Sequence, residues 1–460
     1  MQFLIIAVII SSVLSDDSLQ NISSIDGRYK DKTQKLSDYF SEFALIKKRL
    51  FVEIEYLKFL SLKKIVPKCS TSQVIHLARI YKEFDINEAK KIKKIEKAIN
   101  HDVKAVEIYL AEKFTKIGLK KYVPYLHIGL TSSDTNNIAQ SLLMKEFTNE
   151  VFLPILNKIT FKLKKLSIQY KSSVLLARTH GQPAVPTTFG KELINFLARL
   201  KKQENKIKNF TFEAKINGAV GNYNALQYVF PKENWIDFSS QFLKKLDLKA
   251  NLYTTQILPY DNLIEFFQII LMINGILIDL SSDIWIYSMQ GLIVFDKSTK
   301  QVGSSTMPQK INPIEFENAE GNLTFANSNI AFYQQKLLIS RLQRDLTDST
   351  VSRTFGSTLA HCIIGWENII KGLEYLKFNE KDAQVELDKH WEVLSESIQT
   401  YLRSKGDLNS FDKIKKLFYG KKLTKQEYLK IVSTIIDKKM LNLEPREYLG
   451  LSQKLVEKYK

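Results

Sequence analysis

The sequence predicts an all-α protein built around a central bundle of long helices, and three observations lead there. Only 17 Gly and 10 Pro are spread over 460 residues, so turns are few and helices long. Phe152, Leu156, Ile159, Leu163, Leu166 and Tyr170 recur at alternating steps of four and three, the stripe of a helix packed in a bundle. Residues 262–289 are apolar on nearly all sides, and such a helix belongs at the centre of a large bundle or at a subunit interface. Glu265, Asn274, Asp279 and Asp283 interrupt that run, which argues against a membrane span.

Taken in order, the chain opens with a short apolar extension, residues 1–15. Phe3 to Ile10 is continuously apolar, too short to cross a bilayer and without a preceding Lys or Arg. A loosely docked extension is the expectation, and a secretory signal the alternative. Residues 16–120 read as an N-terminal helical domain. Within it Asp26-Gly27-Arg28-Tyr29 makes a turn in which Gly permits positive φ, and Phe40 to Leu62 a buried helix. Asn87 to Lys97 makes an exposed helix face, and Asn100-His101-Asp102 starts the next helix. Residues 121–376 carry the central bundle. Thr131-Ser132-Ser133-Asp134 caps its first helix. Another helix starts near Thr187 or Thr188 and runs to about Phe210. Further helices run from Glu315 to Lys336 and from Ser349 to Leu376. Residues 377–460 read as a small third helical domain.

Charge narrows the function classes. Lys and Arg number 67 against 49 Asp and Glu, a net charge of +18. The lysines are spread along the chain, with no RNA-binding motif and no aromatic platform among them, so a solvated basic surface is expected and not a nucleic-acid partner. Cys69 and Cys362 have no metal-ligand spacing and fit a reducing compartment. Gly218-Ala219-Val220-Gly221 follows no strand, which removes a dinucleotide-binding reading and leaves a close-packed junction.

Three constellations can carry chemistry. Gly303-Ser304-Ser305-Thr306-Met307-Pro308-Gln309-Lys310-Ile311-Asn312-Pro313 lies between two long helices. Its glycine frees the backbone and its prolines stiffen it, as suits a polar lid. Arg178-Thr179-His180-Gly181-Gln182-Pro183 presents a histidine in a break between helices, and histidine is the side chain whose pKa suits proton transfer near neutrality. Of the six histidines, His76 and His361 have ordinary helical context and His390 has no motif around it, whereas His101 and His127 precede polar clusters. Arg344 and Arg353 can fork onto a phosphate or carboxylate, with Ser349 and Thr350 donating to the same oxygens; salt bridges to Asp345 and Asp348 are the alternative.

The lid segment resembles the SSxMPxKxNP motif of the fumarase/aspartase superfamily. Asp26 to Tyr29, Asn100 to Glu107, Thr131 to Asp134, Arg178 to Pro183, Tyr253 to Gln256 and Arg344 to Ser349 follow the same pattern in order. Together they are similar to the adenylosuccinate lyase family. Two positions depart from it: Gln309 stands where His is common, and Tyr260 follows Pro259 where His is expected. The resemblance implies a fumarase/aspartase-like three-domain fold, a cytoplasmic homotetramer with active sites shared between subunits, and no metal or cofactor. It implies elimination of fumarate from a succinylated purine nucleotide, with another fumarate-releasing lyase such as argininosuccinate lyase as the alternative. It gives Ser304 the base role, His180 the acid role and Glu317 the task of orienting His180. Arg28, Tyr29, Asn100, His101, Asp102, Thr131, Ser132, Gln256, Ser305, Lys310, Asn312, Asn318, Arg344, Ser349, Thr350 and Arg353 are the substrate ligands it implies.

Overall fold

A computed structural model describes residues 17–296, 306–307, 309–435 and 442–459. Helices carry the chain, and among the described residues the strands form three two-stranded sheets. Past short helical turns, the chain runs through α1 (Glu42–Leu62), α2 (Thr71–Lys82), α3 (Ile86–Ile99), α4 (Asp102–Lys116), α5 (Ser132–Phe147) and α6 (Leu153–Gln169). A hairpin of β1 (Val174–Thr179) and β2 (Gln182–Thr188) leads into α7 (Phe189–Lys208). Then come β3 (Glu213–Ala214), α8 (Trp235–Lys245), β4 (Lys249–Ala250), α9 (Asp261–Met289), β5 (Ile293–Phe295) and α10 (Ile314–Leu337). The chain continues as α11 (Thr347–Ser352), α12 (Phe355–Tyr375), β6 (Leu376–Phe378) and α13 (Glu380–Leu387). It closes with α14 (Ser395–Ser404), α15 (Ser410–Phe418), α16 (Lys425–Val432) and α17 (Ser452–Lys458).

Side chains set the helix starts. Ser41 accepts from the N–H of Ala44, so α1 begins at Glu42, two residues later than the apolar run suggests. Ser70 and Gln73 form a reciprocal capping box on α2, and Asp85 accepts from Glu88 N–H at the head of α3. Asn100 closes α3 in the left-handed region at φ 55°, and His101 Nδ1 then accepts from Lys104 N–H to open α4. The helix expected from Ser349 to Leu376 is broken. Thr354 Oγ1 donates to Val351 O at 2.7 Å, and such a bond competes with the helical ladder, so α12 restarts at Phe355. Leu376 is a strand residue paired with Phe295. Asp26 to Tyr29 is a turn as expected, but Gly27 does not use the left-handed region.

The chain forms two compact units. The first holds the described residues up to Pro154, Ile207–Leu271 and Phe325–Ile364. Its core stacks Tyr56 and Phe59 of α1 edge-on against Phe238 of α8, and gathers Phe267, Tyr333 and Phe355 with ring centroids 5.0–5.3 Å apart. Gly221 sits where a Cβ would meet Thr254 O at 2.3 Å, and its φ is +83°, so this junction does require glycine.

The second unit holds Ile155–Lys206, Met272–Thr324 and the chain from Gly365 onward. Phe189 stacks on Phe378 at 5.0 Å, and the fully buried Trp366 donates to Asn274 Oδ1 at 2.9 Å. That bond explains one polar residue in the otherwise apolar α9. By length and composition α9 is able to cross a bilayer, yet half of its most apolar stretch is buried inside the protein. Phe152, Leu156, Ile159, Leu163, Leu166 and Tyr170 are all buried, as their periodicity predicts. Trp391, Leu394, Ile398, Ile414, Phe418, Tyr428 and Val432 form a separate apolar cluster near the C-terminus.

Candidate active site

In the second unit, His180 stands at the tip of the β1–β2 hairpin. Two residues, His180 and Gly181, link the strands, with φ of +53° and +74°. A two-residue turn with both φ positive matches the right-handed twist of the strands, so the expected loop is in fact a hairpin. The pairing register shifts between Leu176 and Arg178, a bulge that turns the tip. Arg178 Nη1 donates to Gly181 O at 3.3 Å, Nη2 pairs with Glu386 of α13, and the His180 ring is exposed in the single chain.

The same unit carries the described part of the segment 303–313 and the start of α10. Lys310 N–H donates to Met307 O at 3.0 Å, closing a turn that exposes the Lys310 side chain. Glu317, in the first turn of α10, accepts from Trp285 Nε1 of α9 at 3.1 Å. Asn318 Oδ1 accepts from Asn368, and Asn312 is half-buried just before α10. Ser304 and Ser305 lie outside the described residues.

The first unit places Asp102, Thr131, Gln256 and Arg344 of the remaining expected ligands in two charge networks. Asp134, fully buried, accepts from the N–H groups of Thr131, Asn217 and Gly218 at 2.9–3.2 Å and from Lys215 Nζ at 3.0 Å. Lys215, also fully buried, spends its other donors on Gly218 O at 2.9 Å and Gln256 O at 2.7 Å. Its own backbone is held on both sides by the Asn137 amide. One ion pair thus ties together the Thr131-Ser132 cap, the Gly218 turn and Gln256. Burial pushes the Lys215 amine below its ordinary pKa, against the pull of Asp134.

Gln256 then reaches outward. Its Oε1 accepts from Arg344 Nη1 at 3.2 Å, while Arg344 Nε stands 3.8 Å from Asp348 Oδ1. Both of those last atoms are buried and lack hydrogen-bond partners. The Tyr260 hydroxyl donates to the other Asp348 oxygen at 3.4 Å; burial, and then that carboxylate, push the phenol pKa up. Arg344 is therefore held by Gln256 and faces Asp348, while Asp345 is engaged with Thr347. Ser349 is half-buried, and Thr350 and Arg353 are exposed around the short α11.

Arg49 of α1 donates to Asp102 Oδ2 at 2.6 Å and to Asn136 Oδ1 at 2.7 Å. Burial raises the Asp102 pKa, but the Arg49 charge and Val103 N–H more than offset it and hold the carboxyl below its usual range. Just before Asp102 in the chain, Asn100 and His101 are exposed. Arg28 is exposed and Tyr29 half-buried in the N-terminal turn. His127, itself at φ 55°, brings Nδ1 to 2.7 Å from Glu53 Oε1, which also accepts from Thr135. Burial lowers the His127 pKa, and the Glu53 carboxylate outweighs it, so the net shift is upward.

Sequence reasoning missed Lys215, Arg49, Glu53 and Trp285. Arg49 and Glu53 carry a readable signal: they are charged residues one helical turn apart that flank the apolar Leu50, Phe51 and Val52. Lys215 has a weaker one, a single cation between Ala214 and Ile216. His390 and His361 are structural, the first 2.7 Å from Glu392 and the second packed edge-on to Phe325. No cluster of three His, Cys, Asp or Glu among the described residues is placed to hold a metal ion.

Comparison with known proteins adds identity to this geometry. Residues 27–326 match a family described as lyase, and residues 340–449 match one described as adenylosuccinate lyase C-terminal. An adenylosuccinate lyase of Legionella pneumophila is 41% identical over 451 residues, covering 96% of this chain and 99% of the relative. One from Buchnera aphidicola subsp. Baizongia pistaciae is 43% identical, covering 95% and 96%, and that of Escherichia coli K12 is 39% identical, covering 96% and 99%. Two solved structures share the fold. One is a fumarate lyase from Mesorhizobium sp. BNC1, with TM-score 0.73, 15% identity and coverage of 92% and 96%. The other is a 3-carboxy-cis,cis-muconate lactonizing enzyme from Pseudomonas putida, with TM-score 0.73, 18% identity and coverage of 92% and 95%. On two matched families that together span most of its length, and on relatives matched nearly end to end, the chain belongs to the adenylosuccinate lyase family.

Proposed function

We propose that this fumarate-releasing lyase converts adenylosuccinate to AMP and the succinylaminoimidazole carboxamide ribotide to AICAR, releasing fumarate each time. The observation that carries the reading is the near full-length match to adenylosuccinate lyases, C-terminal region included. Ser304 is the base. It takes the proton from the succinyl carbon that bears a carboxylate, beta to the leaving nitrogen. The electron pair delocalises into that carboxylate, then forms the C=C bond of fumarate as the C–N bond breaks, and His180 delivers a proton to the departing nitrogen. Serine acts as this base as its alkoxide, which becomes neutral hydroxyl on taking the proton and which is competent only when positive charge and N–H groups face it and water is excluded. Lys310 and Asn312 stabilise the developing dianion, Ser305 and Asn318 are further substrate ligands, and Glu317 orients His180.

Arg344, Ser349, Thr350, Arg353, Arg28 and Tyr29 hold the phosphate and carboxylates. Asn100, His101, Asp102, Thr131, Ser132 and Gln256 complete the pocket. The buried Asp134–Lys215 pair supports this grouping, because it fixes Thr131 and Gln256 on one scaffold. The two partnerless buried atoms of Arg344 and Asp348 fit a place where a ligand or water completes the bonding. The reaction needs no metal or cofactor.

The assembly we propose is a cytoplasmic homotetramer in which different subunits contribute to each site. Large apolar side chains left open in the single chain support an assembly: Phe161, Ile168, Met272, Trp285 and Met289 in the second unit, Phe325 and Phe332 in the first. Cys69 and Cys362 are both buried and are not joined in a disulfide, which fits a reducing compartment. The division into domains at 16–120, 121–376 and 377–460 is likewise proposed, and the separate C-terminal apolar cluster supports its last boundary.

Absorbance-monitored turnover tests the function. Fumarate release from adenylosuccinate and from the succinylated imidazole ribotide is expected, and none from argininosuccinate. Turnover of argininosuccinate alone would transfer the chain to another branch of the superfamily.

A further inference from the structure

The hairpin that carries His180 is fastened to α13 at both ends. At its base, Ser173 Oγ donates to Glu380 Oε1 at 2.7 Å. At its tip, Arg178 Nη2 pairs with Glu386, and the same guanidinium donates from Nη1 to Gly181 O at 3.3 Å. Between these points Leu176 packs with Leu387 and Val393. The turn needs such support, because His180 sits at φ +53°, a region that side-chain-bearing residues avoid. Two exposed residues in a tight turn cannot supply it by packing. A planar guanidinium can, since it reaches two acceptors at a fixed angle.

We infer that Arg178 is a positioning residue for His180: with Glu386 it clamps the hairpin turn so that the imidazole is held where proton delivery to the leaving nitrogen requires it. The inference rests on the acid role proposed for His180. Arg178 and Glu386 touch no reacting atom; they act through the backbone of the turn. α13 lies within the stretch that matches the adenylosuccinate lyase C-terminal family, which gives that stretch a part in the chemistry beyond its own core.

The test compares Arg178→Met, Arg178→Lys, Glu386→Gln and the exchanged pair Arg178→Glu/Glu386→Arg with His180→Ala, measuring kcat, KM and Tm. Arg178→Met and Glu386→Gln should each lower kcat about 10- to 100-fold with KM little changed, the size expected of a misplaced catalytic group. Combining Arg178→Met with Glu386→Gln should cost no more than either alone, because the two act as one unit. Arg178→Lys should fall between them and wild type, and the exchanged pair should recover part of the loss. The inference is overturned if His180→Ala is inactive while the clamp variants keep wild-type kcat. It is equally overturned if kcat falls only in step with Tm, since the pair then merely stabilises the fold. Near-normal turnover by His180→Ala removes the acid reading itself, a result separate from the behaviour of the clamp.

Discussion

The Asp134–Lys215 hub of the first unit and the His180 hairpin of the second solve opposite problems. The hub is sealed: both side chains are fully buried, and each makes several charge-assisted bonds to backbone. The hairpin tip is open, exposed in the single chain, left-handed at two successive residues and held by one guanidinium. Groups that bind a fixed polyanion profit from a rigid frame, because every donor can be aimed before the ligand arrives. A group that passes a proton must be held within hydrogen-bond reach of the leaving nitrogen, so on an exposed turn it depends on a local clamp. The contrast predicts that damage to the hub is felt in folding and affinity, and damage to the tip in rate.

The largest expected effect is on the tip side. His180→Ala and Ser304→Ala should each reduce turnover by about 100- to 10,000-fold, the usual range for a positioned proton-transfer group. Circular dichroism and Tm should stay near wild type for His180→Ala, because its ring is exposed in the single chain. Mixing the two inactive variants should restore part of the activity if different subunits supply the two residues. Turnover close to wild type in either single variant removes that residue from the mechanism.

The hub side should break differently. Lys215→Met leaves Asp134 buried without its cation, and removing one partner of a buried pair typically costs about 3–5 kcal/mol. Chemical denaturation should show a loss of that order. Asp134→Asn combined with Lys215→Met should recover part of it, since neither charge is then stranded. A fully stable Lys215→Met protein would mean that the N–H groups of Thr131, Asn217 and Gly218 suffice to hold Asp134.

Arg344→Lys lies between the two regimes. Lysine keeps the charge but loses the fork that meets Gln256 and faces Asp348. A charge-assisted hydrogen bond is worth roughly 1.5–3 kcal/mol, so kcat/KM should fall about ten- to a hundredfold. Unchanged kcat/KM would return Arg344 to a structural role.

How much of this was legible in the sequence follows the same division. Periodicity and caps wrote the helices: the α6 stripe is buried along its length, and Asn100-His101-Asp102 does mark a helix boundary. Local motifs also pointed at His180, though not at its hairpin. The short β1–β2 pair contains two prolines and no simple alternation, and its register is set by pairing across a turn. The hub was illegible because its members are 81 residues apart. A lysine that ends in the core looks, in one dimension, like any other of a lysine-rich chain. Only the fold brings Asn137, Asp134 and Gln256 around it. Likewise the break at Thr354 depends on Tyr333, whose hydroxyl bonds its side chain from another helix.

The smallest predicted effect uses a carboxyl that neither network satisfies. Asp283 of α9 is half-buried, and burial first, then Asp279 and Glu192, push its pKa up to about 6, against the opposing pull of Arg199. Arg199 itself is committed to Asp279 at 2.6 Å. The folded pKa lies above the ordinary carboxylate value, so the folded state binds the proton more tightly than the unfolded chain. Its stability contribution is therefore fully present below about pH 4 and is lost as pH rises through about 6. That is the reverse of a carboxylate paired with a cation, as Asp102 is with Arg49. Asp283→Asn removes the ionisation and keeps the shape. The variant should match wild type near pH 4 and become more stable above pH 6, by about 1 kcal/mol, since access to solvent screens much of the repulsion. Denaturation curves at pH 4, 5, 6, 7 and 8 measure the difference directly. A difference that stays flat across this range means that Asp283 ionises freely, with Arg199 shared between it and Asp279 and no strain on α9 from the three neighbouring acids.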